Sequence, residues 1–282
     1  MMPPSYLFRS VLLAGAAFVL PVSQAGAGEP VQIVFQNGRS VPITAVALQG
    51  DTLTITAEFE KFTVGQVFPL AIADHVYGEK PVAVNQGIAL LLMGNPVEAL
   101  KLLEPVLAAQ QITARIPGNF WLEVARASLV AHAVNGNSAK CNELGKAISD
   151  STPAQGSDPI VALGKVLLMS SSERVEDKEV VLRDLATGNS PADVAAYATF
   201  YRGNLLKTAN RDAEALESYL MVTGLYPSGC LIINGAAGLN ASKLLVALGR
   251  RKEADILLKD SARDAVNTLV ATEANKALET LK

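Results

Sequence analysis

Few side chains in this sequence could act as acids, bases, nucleophiles or metal ligands at neutral pH. The two histidines are His75 and His132, and the two cysteines are Cys141 and Cys230. His75 follows Asp74 and gives the one candidate acid–base pair, whereas His132 is flanked by Ala and Val in a predicted helix and is expected to be packed. We expect both cysteines to be buried thiols, with a disulfide between them as the alternative.

These residues are too few and too scattered to form a recognised catalytic or metal site. Their spacing matches no zinc or redox motif. The sequence also lacks a G-x-S-x-G elbow, a phosphate-binding Gly-Lys loop and an H-E-x-x-H motif. We therefore expect no catalytic residue, no metal and no cofactor, and predict that the chain is not an enzyme. A catalytic site around Asp74 and His75 is the alternative.

The composition favours closely packed helices and argues against nucleic-acid binding. Of the 282 residues, 50% are hydrophobic and 18% are charged, so the chain can bury a large core. Aromatic residues are scarce at 5%, which favours contacts between small side chains. Because the net charge is -3 and no run of Lys and Arg has the pattern of a phosphate-binding stripe, we expect no nucleic-acid partner.

The first 27 residues have the pattern of a bacterial signal peptide. Arg9 precedes an apolar stretch at 11–22 (VLLAGAAFVLPV), and Ala25-Gly26-Ala27 gives a small-x-small cleavage pattern. A transmembrane anchor is the alternative, but a spanning helix needs about 20 apolar residues. We therefore predict cleavage before Gly28 and a periplasmic or secreted mature protein without a transmembrane segment.

Residues 28–78 have the alternating pattern of short antiparallel strands. Asn37-Gly38 marks a hairpin turn. Strands are predicted at 31–35, 41–48, 53–57, 64–68 and 72–77. This pattern is similar to the small SH3-like and Sm-like barrels, and a strand-rich cap on the helices that follow is the alternative.

From residue 81 to residue 282 the hydrophobic pattern is helical, and one set of residues recurs three times. A small residue is followed twelve positions later by an alanine, in the pairs Gly87 and Ala99, Gly203 and Ala215, and Ser242 and Ala254. Four positions beyond each alanine lies a large side chain: Leu103, Tyr219 or Leu258. Five positions before each alanine lies Gly94, Asn210 or Gly249.

Pairs of antiparallel helices explain this set. The small residue allows two helices to approach closely, and the large one fills the space between them. The Gly or Asn between the helices tolerates a left-handed conformation. The set therefore predicts a mainly α-helical array of about five helix pairs, with a capping helix at 264–281.

The same residues resemble the tetratricopeptide repeat (TPR) family. The match is best at Gly203, Leu206, Ala215, Tyr219 and Pro227, and it is weaker around Gly87 and Ser242. The Trp of the TPR pattern is absent from all three units. Two further units fit loosely, one around Gly136 and Cys141 and one at 158–185. The resemblance implies a solenoid of α-hairpins with a concave groove lined by the first helix of each pair.

The TPR register also implies which residues face that groove. In the unit that matches best they are Tyr197, Phe200, Asn204 and Lys207, followed by Asn240 and Lys243 in the next unit. For Tyr197 and Phe200, packing between repeats is the alternative. Val84 and Ile88 stand where the carboxylate-binding subgroup of the family has Lys and Asn, so this chain departs from that subgroup.

These observations predict an exported scaffold that binds a protein or peptide partner in its groove. In the alternative interpretation, the N-terminal β module recognises a cell-envelope ligand, such as a glycan or peptide, and the repeats are structural. Self-association through repeat ends or strand edges is a further possibility.

Overall fold

A computed structural model describes residues 29–151, 157–170, 173–226 and 230–281. The predicted signal peptide at 1–27 and the TPR-pattern residue Pro227 lie outside the described residues. The described chain begins with a small antiparallel β region and continues as helices to its end. The prediction of a mainly helical protein preceded by a small antiparallel β region is confirmed.

The β region contains two sheets of three strands, in the orders β2-β1-β6 and β3-β4-β5. The strands are β1 (Gln32–Phe35), β2 (Ser40–Pro42), β3 (Val46–Gln49), β4 (Thr52–Ile55), β5 (Val67–Pro69) and β6 (Ala73–Tyr77). Alternate residues of β1 and β4 point into a shared core, where the rings of Phe35, Phe62 and Phe68 contact one another at centroid distances of 5.3–5.7 Å. The long predicted strand at 41–48 is divided into β2 and β3 by a 3-10 turn.

The β region is a duplicated unit. In each half, a hairpin strand ends at a proline, Pro42 or Pro69, and a 3-10 turn then leads into a strand of the other sheet. The two prolines share nearly the same backbone angles, with φ -60° and ψ 140° at Pro42 and φ -61° and ψ 138° at Pro69. The first half comprises β1, β2 and β3, and the second comprises β4, β5 and β6. If each strand is replaced by its counterpart in the other half, the order β2-β1-β6 of the first sheet becomes β5-β4-β3, which is the order of the second sheet. The segments VPITAV and FPLAIA carry this duplication in the sequence.

The eleven helices of the described residues are α1 (Val82–Leu92), α2 (Pro96–Gln110), α3 (Trp121–Val134), α4 (Ser138–Ser151), α5 (Pro159–Leu168), α6 (Val175–Thr187), α7 (Ala192–Thr208), α8 (Asp212–Leu225), α9 (Leu231–Ala247), α10 (Arg251–Asp264) and α11 (Leu269–Leu281). Each odd-numbered helix from α1 to α9 packs on the even-numbered helix that follows it, and α11 packs on α10. Gly94, Asn210 and Gly249 adopt the left-handed conformation expected between paired helices, with φ of 82°, 58° and 75°.

The last helix starts later than predicted. A helix was expected over 264–281, but α10 extends to Asp264 and α11 begins at Leu269. Asn267 separates them with a left-handed φ of 62°, which a continuous helix does not permit. As a result Val266, expected on the apolar side of the helix, is 62% exposed in the connection.

Close helix crossings occur where the repeat places its small residues. A Cβ added to Gly87 would lie 2.7 Å from the Leu103 side chain, and one added to Gly203 would lie 2.6 Å from the Tyr219 ring. Ala99, Ala215 and Ala254 have no exposed surface. In the third pair two further glycines, Gly235 and Gly238, approach α10, although the repeat spacing did not indicate them.

The first helices of the pairs make a closed circuit of contacts. Along the chain α1 contacts α3, α3 contacts α5, α5 contacts α7, and α7 contacts α9; α9 and α11 then contact α1. The inner helices are consequently buried on most sides, and α9 has eight consecutive buried residues from Ile232 to Leu239. This arrangement differs from the open superhelix implied by the TPR resemblance.

The segment between α2 and α3 joins the β region to the helices. Ile116 is 1% exposed and belongs to the β core, and Val76 donates a backbone hydrogen bond of 2.8 Å to the carbonyl of Pro117. Arg115 makes an ion pair of 2.6 Å with Asp51 in the turn between β3 and β4. The β core is therefore completed by residues from beyond position 78, where the sequence had placed its boundary.

Candidate binding surface

Two of the six predicted groove residues have almost no exposed surface with which to contact a partner. Tyr197 is 3% exposed and Phe200 is 0% exposed. Both lie on the inner helix α7, where Phe200 packs against Tyr201 and Tyr219 at centroid distances of 5.5 and 5.9 Å. The expectation that Tyr197 and Phe200 line an open groove is therefore corrected. Their rings form part of the core between helices, which was the alternative considered for them.

The other four predicted residues lie together on α7 and α9. We call Asn204, Lys207, Asn240 and Lys243, with Tyr219 beneath them, the α7–α9 polar face. The Tyr219 hydroxyl donates a hydrogen bond of 2.7 Å to Oδ1 of Asn204. Lys243 Nζ lies 3.5 Å from Oδ1 of Asn240 on the same helix. Asn204 and Asn240 are half-buried, and both lysines are exposed.

The electrostatics of this face favour a negatively charged ligand. Partial burial lowers the pKa of Lys243, and the positive charge of Lys207 lowers it further, while Glu273 on α11 raises it. Among the described residues, no carboxylate lies within 4.0 Å of either ammonium group. The two like charges repel each other, Glu273 offsets only part of that repulsion, and an anion bound beside both lysines would relieve it further.

Tyr219 connects the polar face to the packing of the helix pair. Burial raises the pKa of its phenol, and a hydrogen bond from Asn240 opposes that effect. The hydroxyl therefore interacts with an asparagine from each inner helix, Asn204 on α7 and Asn240 on α9. The phenol of Tyr219 therefore links the polar groups of the two inner helices.

An apolar pocket lies next to Asn204 on the other side of α7. Its volume is about 220 Å³, and its lining comes from α5, α6 and α7: Val166, Leu167, Lys178, Leu182, Tyr201, Asn204, Leu205 and Thr208. We call it the α5–α7 pocket. The Tyr201 hydroxyl is buried and has no hydrogen-bond partner among the described residues. No local sequence pattern indicates this pocket, because its lining comes from three helices.

A buried ion cluster holds the inner helices at their amino-terminal ends. Arg126 on α3 donates to Asp158, the N-cap of α5, at 2.6 Å and to both carboxylate oxygens of Asp193 on α7 at 2.8 and 2.9 Å. Burial lowers the pKa of Arg126, but its hydrogen bonds to Asp158 and the charges of both carboxylates outweigh burial, and the net pKa is raised. Each of the three guanidinium nitrogens of Arg126 donates a hydrogen bond to a carboxylate, so this cluster is structural.

The residues considered for chemistry do not come together. Cys141 is buried against the Leu129 carbonyl, and Cys230 is half-buried at the start of α9; both are free thiols. His75 and Asp74 are hydrogen-bonded at 2.9 Å on an exposed surface. His132 is buried in α3. Within the described ranges, no group of three or more potential metal ligands is present.

The outer face of the sheet β2-β1-β6 is a second surface with polar and aromatic groups. The strand register places Tyr77 beside Gln32, and His75 beside Val34. Ser40 on β2 donates a hydrogen bond of 2.5 Å to Gln32. Tyr77 is 54% exposed, and its hydroxyl interacts with Glu29, which raises the pKa of the phenol.

Comparison of the chain with protein-family models, with curated proteins and with solved structures gave no match. No helix among the described residues has the length and apolar character needed to cross a membrane.

Proposed function

We propose that this protein is an exported, non-enzymatic helical-repeat scaffold of the TPR type. The α7–α9 polar face would bind a protein or peptide partner. The observation that carries the proposal is the arrangement of Lys207 and Lys243, neither of which has a carboxylate within 4.0 Å among the described residues, beside two half-buried asparagines on neighbouring inner helices. Export rests on the signal-peptide pattern at 1–27.

The polar face offers the groups that an extended peptide requires. Asparagine side chains can both donate to and accept from a peptide backbone, which would orient the bound segment. The lysines would attract acidic side chains or a terminal carboxylate. Since Tyr197 and Phe200 are buried, they would support this surface without touching the partner.

An affinity capture from the envelope fraction of the exporting bacterium would test this proposal. The baits are the mature chain, the double variant Lys207→Glu and Lys243→Glu, and the control variant Lys146→Glu. Lys146 is an exposed lysine on α4, away from the polar face. We expect a partner that the mature chain and the control retain and the double variant loses. Equal retention by all three baits would place binding elsewhere.

A second candidate function is recognition of a cell-envelope ligand by the β module. The exposed ring of Tyr77, next to Gln32 and His75 on one face of a sheet, supports it. An aromatic ring flanked by hydrogen-bonding side chains suits a flat ligand with polar edges, such as a glycan. Co-sedimentation with purified cell-wall glycan would test this function, and it requires that the variant Tyr77→Ala sediments less than the mature chain.

A further inference from the structure

The α5–α7 pocket and the α7–α9 polar face are adjacent, because Asn204 belongs to both. Asn204 lines the pocket and accepts the hydrogen bond of Tyr219. On α7, Tyr201, Leu205 and Thr208 line the pocket, while Lys207 lies beyond Asn204 on the side toward α9. A ligand that spans Asn204 would therefore contact an apolar cavity on one side and two ammonium groups on the other.

The pocket has the properties of a receptor for one apolar side chain. Val166, Leu167, Leu182 and Leu205 make its wall apolar, and its volume of about 220 Å³ exceeds that of a large side chain such as Leu or Phe. Tyr201 also contributes to the lining, and its hydroxyl is buried and lacks a hydrogen-bond partner among the described residues. Lys178, the one charged residue in the lining, is already bound to the carbonyls of Met169 and Ser170 at 3.2 and 2.8 Å.

We infer that the partner presents an acidic linear segment with one bulky apolar residue, which enters the α5–α7 pocket while its carboxylates bind Lys207 and Lys243. This inference rests on the proposed function and specifies its partner. Charge complementarity determines the occupant, because both ammonium groups lack a carboxylate within 4.0 Å in the part of the chain that the structure describes. A basic or uncharged segment would leave the repulsion between the lysines in place.

Selection from a phage-displayed library of random linear peptides tests the inference with the mature chain as bait. Enriched peptides are expected to combine Asp or Glu with a bulky apolar residue a few positions away. The peptide that binds most tightly is then synthesised and measured against two variants. In Thr208→Trp an indole fills the mouth of the pocket, and in Lys207→Glu with Lys243→Glu the charge is reversed.

Each variant has a matched control. Thr208 is exposed, and its hydroxyl bonds only within α7, to the Asn204 carbonyl. Thr272 is likewise exposed and its hydroxyl bonds locally, to the carbonyl of Thr268 just before α11, so Thr272→Trp controls for the added indole. Lys146→Glu controls for the change of charge. We expect at least about tenfold weaker binding for each site variant and unchanged binding for each control.

The possible outcomes separate the inference from the proposed function. One outcome is that acidic peptides bind the lysine double variant more weakly but bind Thr208→Trp as tightly as the mature chain. This result would overturn the apolar anchor and leave the proposed function standing. Selection of basic or uncharged peptides that still depend on the polar face would overturn the acidic segment. If neither site variant weakens binding of the selected peptide, or if no peptide is enriched at all, the result would count against the polar face as a binding site.

Discussion

The ring of Tyr219 on α8 packs directly against the α-carbon of Gly203 on α7. A Cβ on Gly203 would lie 2.6 Å from Cε1 of Tyr219, closer than side-chain atoms approach. The hydroxyl at the other end of the ring is bound to Asn204 at 2.7 Å, so the ring has little freedom to move away. One glycine thus determines both how closely α7 and α8 pack and where Asn204 lies on the polar face.

Gly203→Ala is therefore expected to destabilise the protein. The added methyl must displace the Tyr219 ring, and overpacking of this kind costs about 1–3 kcal/mol. The midpoint of urea unfolding measures the loss. Gly224→Ala is the control, because Gly224 lies in α8 with no atom within 4 Å of its would-be Cβ. The control should gain about 0.5–1 kcal/mol from its helix propensity, and a similar result for both variants would contradict the close packing.

Removal of the Arg126 side chain should have a larger effect. Arg126→Ala leaves the carboxylate of Asp158, whose side chain is 2% exposed, buried without its partner, which costs about 3–5 kcal/mol. Lys259→Ala removes an exposed ion pair with Asp255, for which we expect less than about 1 kcal/mol. Chemical unfolding of both variants measures the loss in free energy of unfolding for each. Equal small losses would mean that the buried cluster does not hold α3, α5 and α7 together.

His132 should make the fold less stable in mild acid. Burial lowers its pKa from 6.5, and although Glu104 opposes this effect at 3.3 Å and Lys140 adds to it, the folded-state pKa remains depressed. The folded protein therefore binds a proton less readily than the unfolded chain. Stability is full above about pH 6.5 and declines as the pH falls through the folded-state pKa.

His132→Gln tests this pH dependence. The variant lacks the titrating imidazole, so its unfolding midpoint should fall less than that of the native chain between about pH 7.5 and pH 5. Other groups contribute equally to both proteins and cancel in the comparison. Parallel pH profiles for the two proteins would show that His132 does not contribute to the acid sensitivity.

Export should leave Gly28 at the amino terminus. When the full chain is expressed in a bacterium with a general secretion system, the intact mass of the periplasmic product should correspond to residues 28–282. Ala25→Leu and Ala27→Leu together remove the small-x-small pattern and should cause the uncleaved form to accumulate. A native chain found uncleaved in the cytoplasm would contradict the export part of the proposal.

Local patterns predicted much of this fold. Strand alternation and turn residues are encoded within a few positions, so most strands and paired helices could be predicted. Gly94, Asn210 and Gly249 marked turns correctly because a left-handed backbone favours only a few residue types. The duplication around Pro42 and Pro69 is also present in the sequence, but the segments VPIT and FPLA are short and share only the proline, so they give a weak signal.

The site was harder to predict, because burial on an inner helix depends on distant contacts. Seven consecutive residues of α7, from Val194 to Phe200, are buried, so helical periodicity does not distinguish a core face from a binding face. Tyr197 was misplaced for this reason. The closure of α1 against α9 joins residues far apart in the chain, and no local pattern encodes it.

Site-specific photo-crosslinking in the exporting cell tests the central claim most directly. A photoreactive phenylalanine analogue replaces Lys207, Lys146 or Tyr77 in three separate chains that all keep Lys243, and each adduct is identified by mass spectrometry. We predict a protein adduct from position 207, attached through an acidic segment of the partner, and none from position 146. Adducts from both positions alike, or from neither while position 77 on the β module gives one, would contradict it.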